Sequence, residues 1–579
     1  MIELSSCCKG YTRDLDKAVS PEQTVGHVHA TLEKNGHSLL ERTTRIDTGR
    51  LGIPVYLSVC GPKAREVMPT RKQMGKGASP AQAEASALME FIERYSLFSF
   101  LTRNGQPGAG QILTWSQAQE KFGPALIPIQ EIIDSVHEDI PERVAFQVLD
   151  LVPWFFCPAY ALHSGREVFL PLDWFQTINE FNGASAGNTA VESMLQGLCE
   201  LVERHVCARI DLEHPVLPTI DPASMTDPVL HELYAAFTRN NIQVWLKDFS
   251  LQYQVPTVGA LAYDPATFPE ASEIVFTAGT ATSPEKAAIR ALTEVAQLAG
   301  DFESGSCYEP SGLSKPTRLK DCHWLHKGPS VRLSSLPDIS DRDMALEVAR
   351  LTEVLQQHDF SAYSVDTTHP ELNIPAHYTI IPGFDFRERS SHPSLGLFVG
   401  RLLTEKGSPE KARRGLQVLE SIYPQAHFHP FFHGLLALGQ GRVHEALQAF
   451  ARAEPVQPTA QDQAFAAFYQ AYCLSQEGAW EQMVSVLDRA IELAPDVQAF
   501  YNLRGVAFFK GQSYEQAIQD FQTVLGLDPG AAMDLVNLGI CLKRLGKTQE
   551  AISYLQAGLE LDPGQESARK ELEELLARH

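Results

Sequence analysis

Glu192, Gln196, Glu200 and Glu203 fall at i, i+4, i+8 and i+11 within residues 182–205 of a 579-residue chain. At about 100° per residue they occupy an arc of roughly 80° on one helical face. Ser86, Glu90, Glu93 and Arg94 make a second polar stripe, and Arg290, Glu294 and Gln297 a third. A lone glutamate of this kind usually caps a helix or faces solvent, but three stripes that converge would gather six carboxylates. Two carboxylates about 4 Å apart repel by roughly 4 kcal/mol at an effective dielectric near 20. Hard divalent cations remove that penalty, and all-oxygen ligand sets suit Mg²⁺ held together with phosphates. Arg94, Arg204 and Arg290 would then supply charge-assisted contacts to phosphate oxygens. The expected chemistry is that of a magnesium-nucleotide site without a phosphate loop. Gly75-Lys-Gly77 does not continue into the Gly-x-x-x-x-Gly-Lys-Ser/Thr spacing.

Three helices must carry these stripes. Thr189 followed by Glu192 reads as a capping box, which starts the central helix after a loop containing Gly183, Gly187 and Asn188. Met194, Leu195, Leu198, Leu201, Val202 and Val206 cover much of its remaining surface, so it should be buried with its polar stripe on an internal cleft. Ser79-Pro80 with Gln82, and Ser283-Pro284 with Glu285, mark the entries of the other two.

Residues 75–96, 182–205 and 284–297 resemble, in order, the three ATP motifs of the YcaO family. The resemblance covers roughly residues 1–385 and implies an α+β YcaO-like domain at 1–390. It implies ATP contacts from Lys9, Ser86, Arg94, Asn188, Gln196, Arg204 and Arg290. Mg²⁺ would be held by Glu90, Glu93, Glu192, Glu200, Glu203 and Glu294; no catalytic residue is assigned. The implied activity is phosphorylation of a peptide backbone amide oxygen by ATP. A neighbouring Cys, Ser or Thr then displaces that oxygen to give an azoline, or external sulfide displaces it to give a thioamide. Azoline-forming members of the family end in a proline-rich tail, whereas this chain ends Glu574-Leu-Leu-Ala-Arg-His579, and no E1-like domain is evident. Thioamidation with an external sulfur donor is therefore the expectation. The alternatives are an azoline-forming cyclodehydratase, an accessory or scaffold factor for a methylthiotransferase, and an inactive interaction protein. The intact charged positions count against the last.

The remainder of the chain reads as an all-α tetratricopeptide solenoid at 410–579, joined through residues 391–409, a linker or a divergent helix that includes Pro393 and follows Arg387, Glu388 and Arg389. Pro495, Pro529 and Pro563 recur every 34 residues, as do Gly505 and Gly539, and Ala517 and Ala551. About four repeats are expected, with residues 570–578 as a cap and a peptide or protein substrate as the bound partner. A sulfur-delivery partner is implied as well, and a homodimer is left open. Asn502 and Asn537 are candidates to touch a bound peptide, or else bond within the repeats. His427, His429 and His433 lie among phenylalanines and read as structural rather than metal-binding. Apolar runs at 144–149, 167–171, 243–246 and 257–262 read as strands and 228–240 as a helix, while 366–370 followed by 378–383 resembles the closing strands of the YcaO family.

A net charge of −23 argues against non-specific nucleic-acid or anionic-membrane binding. Residues 1–10 lack the apolar core of a signal peptide, and no apolar run approaches a membrane span. The ten cysteines are scattered without a Cys-x-x-Cys pair, and Cys7-Cys8 is their one local cluster. A cytoplasmic enzyme is expected.

Overall fold

The computed structural model describes residues 4–34, 39–47, 50–102, 110–270, 272–299, 302, 316, 318–387, 393–528, 530–562 and 564–577. Pro529 and Pro563 of the 34-residue period, Glu388 and Arg389, and the last two residues lie outside them. The chain divides into two units: Met1–Phe146 with Pro153–Pro393, and Gln147–Val152 with Ser394–His579.

In the first unit each motif helix is seated on sheet, and the first also packs against the sheet that carries the second. The first site helix, Pro80–Thr102, covers an antiparallel sheet of Leu40–Arg45, Val55–Cys60 and Lys72–Lys76. The second, Ala190–Glu213, packs on Ala184–Ala186 and Ala376–Ile380 of a six-stranded sheet. The third, Pro284–Ala299, packs on Val275–Thr280 and Thr257–Tyr263 of a five-stranded sheet, antiparallel except where Ser330–Val331 joins Thr219–Ile220. Glycines permit the close seating. A Cβ at Gly75 would stand 2.0 Å from the Ala87 nitrogen of the first helix, and one at Gly279 would stand 2.4 Å from the Ala291 nitrogen of the third. Met194, Leu198, Leu201, Val202 and Val206 of the second helix join Phe249, Val348 and Leu351 in one apolar core. Its remaining face is thereby left for the cleft.

The helices start where the sequence puts them. The expected capping box of the second is half formed, because the Glu192 carboxylate accepts the Asn188 N–H at 3.3 Å and does not return to Thr189. Thr189 Oγ1 accepts the Glu192 N–H at 3.1 Å and Ser79 Oγ accepts that of Gln82 at 3.3 Å. The strands expected at 167–171, 243–246, 257–262 and 378–383 correspond to Arg166–Pro171, Gln243–Asp248, Thr257–Tyr263 and Ala376–Ile380, and the helix at 228–240 to Pro228–Arg239. Residues 144–149 differ: they lie in the helix Glu142–Leu149. Pro141 and Glu142 are a helix-start pair, and the buried Ala145, Val148 and Leu149 sit at i, i+3 and i+4. In so short a run that period competes evenly with strand alternation.

The second unit is helical. Phe428–Gly439 with Val443–Ala453, Ala460–Glu477 with Trp480–Leu493, Gln498–Lys510 with Tyr514–Leu527, and Ala532–Arg544 with Thr548–Leu561 pack as successive hairpins, followed by Glu566–Leu576. Arg504 joins three of these helices. It donates to both Asp520 oxygens at 2.9 and 2.6 Å and to Asp488 at 2.7 Å. Asn502 Nδ2 donates to Asp534 Oδ1 of the next hairpin at 2.6 Å, which gives it a bond between repeats. His433 Nε2 lies 2.6 Å from Glu420 and His429 Nε2 lies 2.7 Å from the Tyr423 carbonyl, a structural use of both imidazoles.

Residues 391–409, read as a linker or a divergent helix, are mostly helix. Leu395–Lys406 is capped by Ser394 and buries Leu395, Val399 and Leu403 at i, i+4 and i+8, against the helices Pro409–Ile422 and Phe428–Gly439. Serine-rich flanks concealed that periodicity. Each of the three side chains contributes about 1.5–3 kcal/mol of burial. A fragment beginning at Ser394 should therefore unfold cooperatively, at a clearly higher temperature than one beginning at Glu410. Circular dichroism melts of the two fragments compare them, and equal midpoints would contradict this role for the helix. Among the described residues no helix is long and apolar enough to cross a membrane.

Candidate functional site

The three site helices enclose a cavity of about 240 Å³. Ser86, Glu90, Glu93 and Arg94 line it from the first helix. Glu192, Gln196, Glu200, Glu203 and Arg204 line it from the second, with Asn188 just ahead of that helix, and Arg290, Glu294 and Gln297 from the third. The stripes therefore converge, because each helix turns its apolar arc onto sheet and leaves its polar arc for the cavity. Of the site residues named from sequence, Lys9 alone is not on this lining. Its ammonium is buried between Asp16 at 2.7 Å and Glu347 at 2.6 Å. Two carboxylates raise its pKa against the opposing effect of burial, and they hold the charge the resemblance assigned to phosphate.

Glu192 departs from a simple capping role. Its carboxylate accepts the Asn188 side-chain amide at 3.0 Å and the Ala18 N–H at 2.9 Å, and Lys17 Nζ lies 3.5 Å away. Thr24 Oγ1 in turn donates to Asn188 Oδ1 at 3.0 Å. Glu203 Oε2 accepts the Thr280 N–H at 2.9 Å, and Arg290 Nη1 donates to Gln196 Oε1 at 2.9 Å. Arg94 lies 3.3 Å from Glu93 Oε1 and stacks its guanidinium 4.1 Å over the Phe181 ring. Lys76 and Glu294 form an ion pair across the cavity wall.

Six carboxylates face five cations on this lining. Burial pushes the carboxyls of Glu90, Glu93 and Glu200 up; the arginines beside them oppose the rise, and the neighbouring glutamates add to it. Arg94 Nη1 and Arg290 Nε are buried without a hydrogen-bond partner among the described residues. A wall with under-compensated carboxylates and unmatched guanidinium donors fits a polyphosphate and divalent cations bound together. Among the described residues no three carboxylate, imidazole or thiol groups converge tightly enough to cage a metal alone. The phosphates would have to complete any coordination.

Lys76 was missed from sequence, although the alternation of Lys72–Lys76 places it on the same strand face as Met74, away from the buried Gln73 and Gly75. Burial, with Arg290 adding to it, brings its ammonium down to about 8. At pH 9 the free protein therefore holds Lys76 mostly neutral, and an arriving polyphosphate should recharge it. Calorimetry in buffers of different ionisation enthalpy should show proton uptake on nucleotide binding at pH 9, little at pH 7, and none with Lys76→Met. Equal uptake by the variant would assign the proton elsewhere. Lys17 was missed for another reason. It reaches Glu192 from a loop closed by reciprocal backbone bonds to Tyr11, a placement no local pattern encodes.

Comparison with known proteins adds to this geometry. A family model described as YcaO cyclodehydratase, ATP- and Mg²⁺-binding, matches residues 74–385, and a tetratricopeptide repeat model matches 480–532 and 503–566. An uncharacterized protein of Methanothermobacter thermautotrophicus is 25% identical over 399 residues, covering 64% of this chain and 95% of its own. The ribosomal protein S12 methylthiotransferase accessory factor YcaO of Escherichia coli is 24% identical, over 53% of this chain and 56% of that protein. A solved heterocyclase in complex with substrate and cofactor has a TM-score of 0.50 at 20% identity, over 66% of this chain and 54% of its own, a likeness of fold.

Proposed function

The chain belongs to the YcaO family, whose model spans residues 74–385, and from that premise we propose an ATP- and Mg²⁺-dependent enzyme that activates a peptide backbone amide. The observation that carries this reading is the convergence of three acidic helix faces with Arg94, Arg204 and Arg290 on one cavity. Mg²⁺, when bound, would neutralise charge on the phosphates and on the carboxylates that burial leaves under-compensated. Arg94 and Arg290, each with an unmatched donor, would orient the polyphosphate, and Gln196 would hold Arg290 in place. ATP is a substrate here: its γ-phosphoryl group passes to the amide oxygen, which becomes a leaving group.

The second half of the reaction is proposed to be thioamidation with an external sulfur donor, in the cytoplasm. Burial pushes the Cys199 thiol to about 12 and the Cys207 thiol to about 11, so neither is poised as a thiolate near the cavity. Sulfur would then have to arrive from outside. The repeat unit is proposed to capture the peptide or protein substrate. A second reading, an accessory factor in sulfur transfer, is favoured by the likeness to the Escherichia coli methylthiotransferase accessory factor. Mass spectrometry of a captured peptide, with and without Mg²⁺-ATP and sulfide, tests the two.

A further inference from the structure

Behind the nucleotide cavity lies a smaller compartment of about 50 Å³. The two share Lys17, Glu192, Gln196 and Arg290 as lining, so a group entering the second stands directly beside the first. Its floor is Glu347, with no exposed surface, next to Thr282, Cys199 and Ala281. Glu347 Oε1 accepts three hydrogen bonds: Lys9 Nζ at 2.6 Å, Thr282 Oγ1 at 2.6 Å and the Asp341 N–H at 3.0 Å. Its Oε2 is buried and accepts none among the described residues. Lys286, on the same lining, does not fill that role, because its ammonium donates to the Thr12 and Arg13 carbonyls. Asp16 and Glu192 also line the compartment, but Asp16 accepts Lys9 Nζ at 2.7 Å, and Glu192 accepts the Asn188 amide and the Ala18 N–H. Glu347 Oε2 is thus the fully buried carboxylate oxygen of the compartment left without a donor among the described residues, oriented by three donors on its other oxygen.

We propose that this compartment receives the reacting backbone amide, with its N–H donating to Glu347 Oε2; the proposal rests on reading the chain as an amide-activating enzyme. The step then balances. The amide oxygen bonds to the γ-phosphorus of ATP, the bond from that phosphorus to the β-bridging oxygen breaks, and ADP leaves. The N–H proton passes to Glu347 Oε2, and its electron pair becomes the C=N bond of the phosphorylated imidate. Glu347 is accordingly assigned as a catalytic residue that no motif stripe contains.

The test uses the full chain with Mg²⁺ and a non-hydrolysable ATP analogue. Saturation-transfer NMR compares N-methylacetamide, which has the N–H, with N,N-dimethylacetamide, which lacks it. Wild type should favour the former by about five-fold, as one net hydrogen bond allows. In Glu347→Gln the side-chain carbonyl must face the three donors, which turns an NH₂ group toward the compartment and should erase the preference. Ala281→Leu fills the space without touching that carboxylate and should abolish both signals. Equal signals in wild type, or a preference that survives either substitution, would overturn the proposal. Should Glu347→Gln fail to fold, Ala281→Leu decides. An N–H preference without modification of any peptide would retain the amide compartment and reject the enzymatic reading. Peptide modification without the preference would do the reverse.

Discussion

Glu93→Gln lowers ATP turnover by at least about 100-fold, equivalent to about 2.7 kcal/mol of lost transition-state stabilisation, while the nucleotide-free protein melts at a higher temperature than wild type. Both effects have one cause. Glu93 lies on the cavity wall beside Arg94, with Glu90 and Glu200 on the same lining. Burial raises its carboxyl well above the ordinary carboxylate range, Arg94 opposes the rise, and Glu200 and Glu90 add to it. A carboxyl with a folded pKa above its unfolded one is bound to its proton more tightly in the folded chain. Its stabilising contribution is complete below the unfolded value and is lost as pH rises through the folded value. Glutamine retains the shape without the charge, so the difference in melting temperature between variant and wild type should widen from about pH 4.5 to neutrality. Mg²⁺-ATP should reverse the order. Wild type gains a large ligand-induced shift, and the variant, short of one carboxylate for the cations, gains little. Melts across pH with and without Mg²⁺-ATP, together with steady-state phosphate release, measure both halves. Turnover within three-fold of wild type would remove Glu93 from the metal-binding set.

The parts of the site legible in the sequence are those carried on single helices. Glu192 to Glu203, Glu90 to Arg94 and Arg290 to Gln297 could be placed because one helical period fixes both their own face and the apolar arc that must be buried. Gly75 and Gly279 bring strand backbone up to the first and third helices, and the polar stripes are left over for the cavity. Legibility fails where long-range pairing decides. Lys9 and Lys17 sit on a segment held by the bond from the Lys9 N–H to the Arg342 carbonyl, over 300 residues away, and by the Cys8–Asp343 bridge. That pairing brings Lys9 to Glu347 and Lys17 to Glu192. Glu347 sits in the first turn of the helix that Asp343 caps, where no local pattern marks it, because its bonds to Lys9 and Thr282 come from distant segments. The same distinction explains the region 391–409. Serine-rich flanks leave its apolar residues at i, i+4 and i+8 unassigned until they meet the helices they cover.

On the proposed reaction, a captured peptide incubated with Mg²⁺-ATP and sulfide should gain about 16 Da, the exchange of one backbone oxygen for sulfur, and should be unchanged when either is omitted. Amide resonance makes its oxygen a poor leaving group, so sulfide alone should not exchange it; phosphorylation turns that oxygen into phosphate. The phosphate released should therefore carry the amide oxygen, and the nucleotide product should be ADP. Adenylation would instead give AMP and pyrophosphate. Arg94, Arg204 and Arg290 are presented by three different helices around one small volume, a clamp suited to a polyphosphate, and the identity of the nucleotide product decides which phosphorus is attacked. A loss of about 18 Da would mean that a neighbouring side chain of the peptide closed an azoline, keeping amide activation and replacing the nucleophile. No mass change in any peptide held by the repeat unit, with ATP still turned over, would favour the accessory reading. The control is Arg290→Lys. Lysine keeps the charge but lacks the fork by which Arg290 meets Gln196 and still presents a free Nε, so modification should fall by about ten-fold or more while the fold stays intact. Full modification by that variant would mean that the guanidinium contributes only charge, and the proposed orientation of the polyphosphate would have to be abandoned.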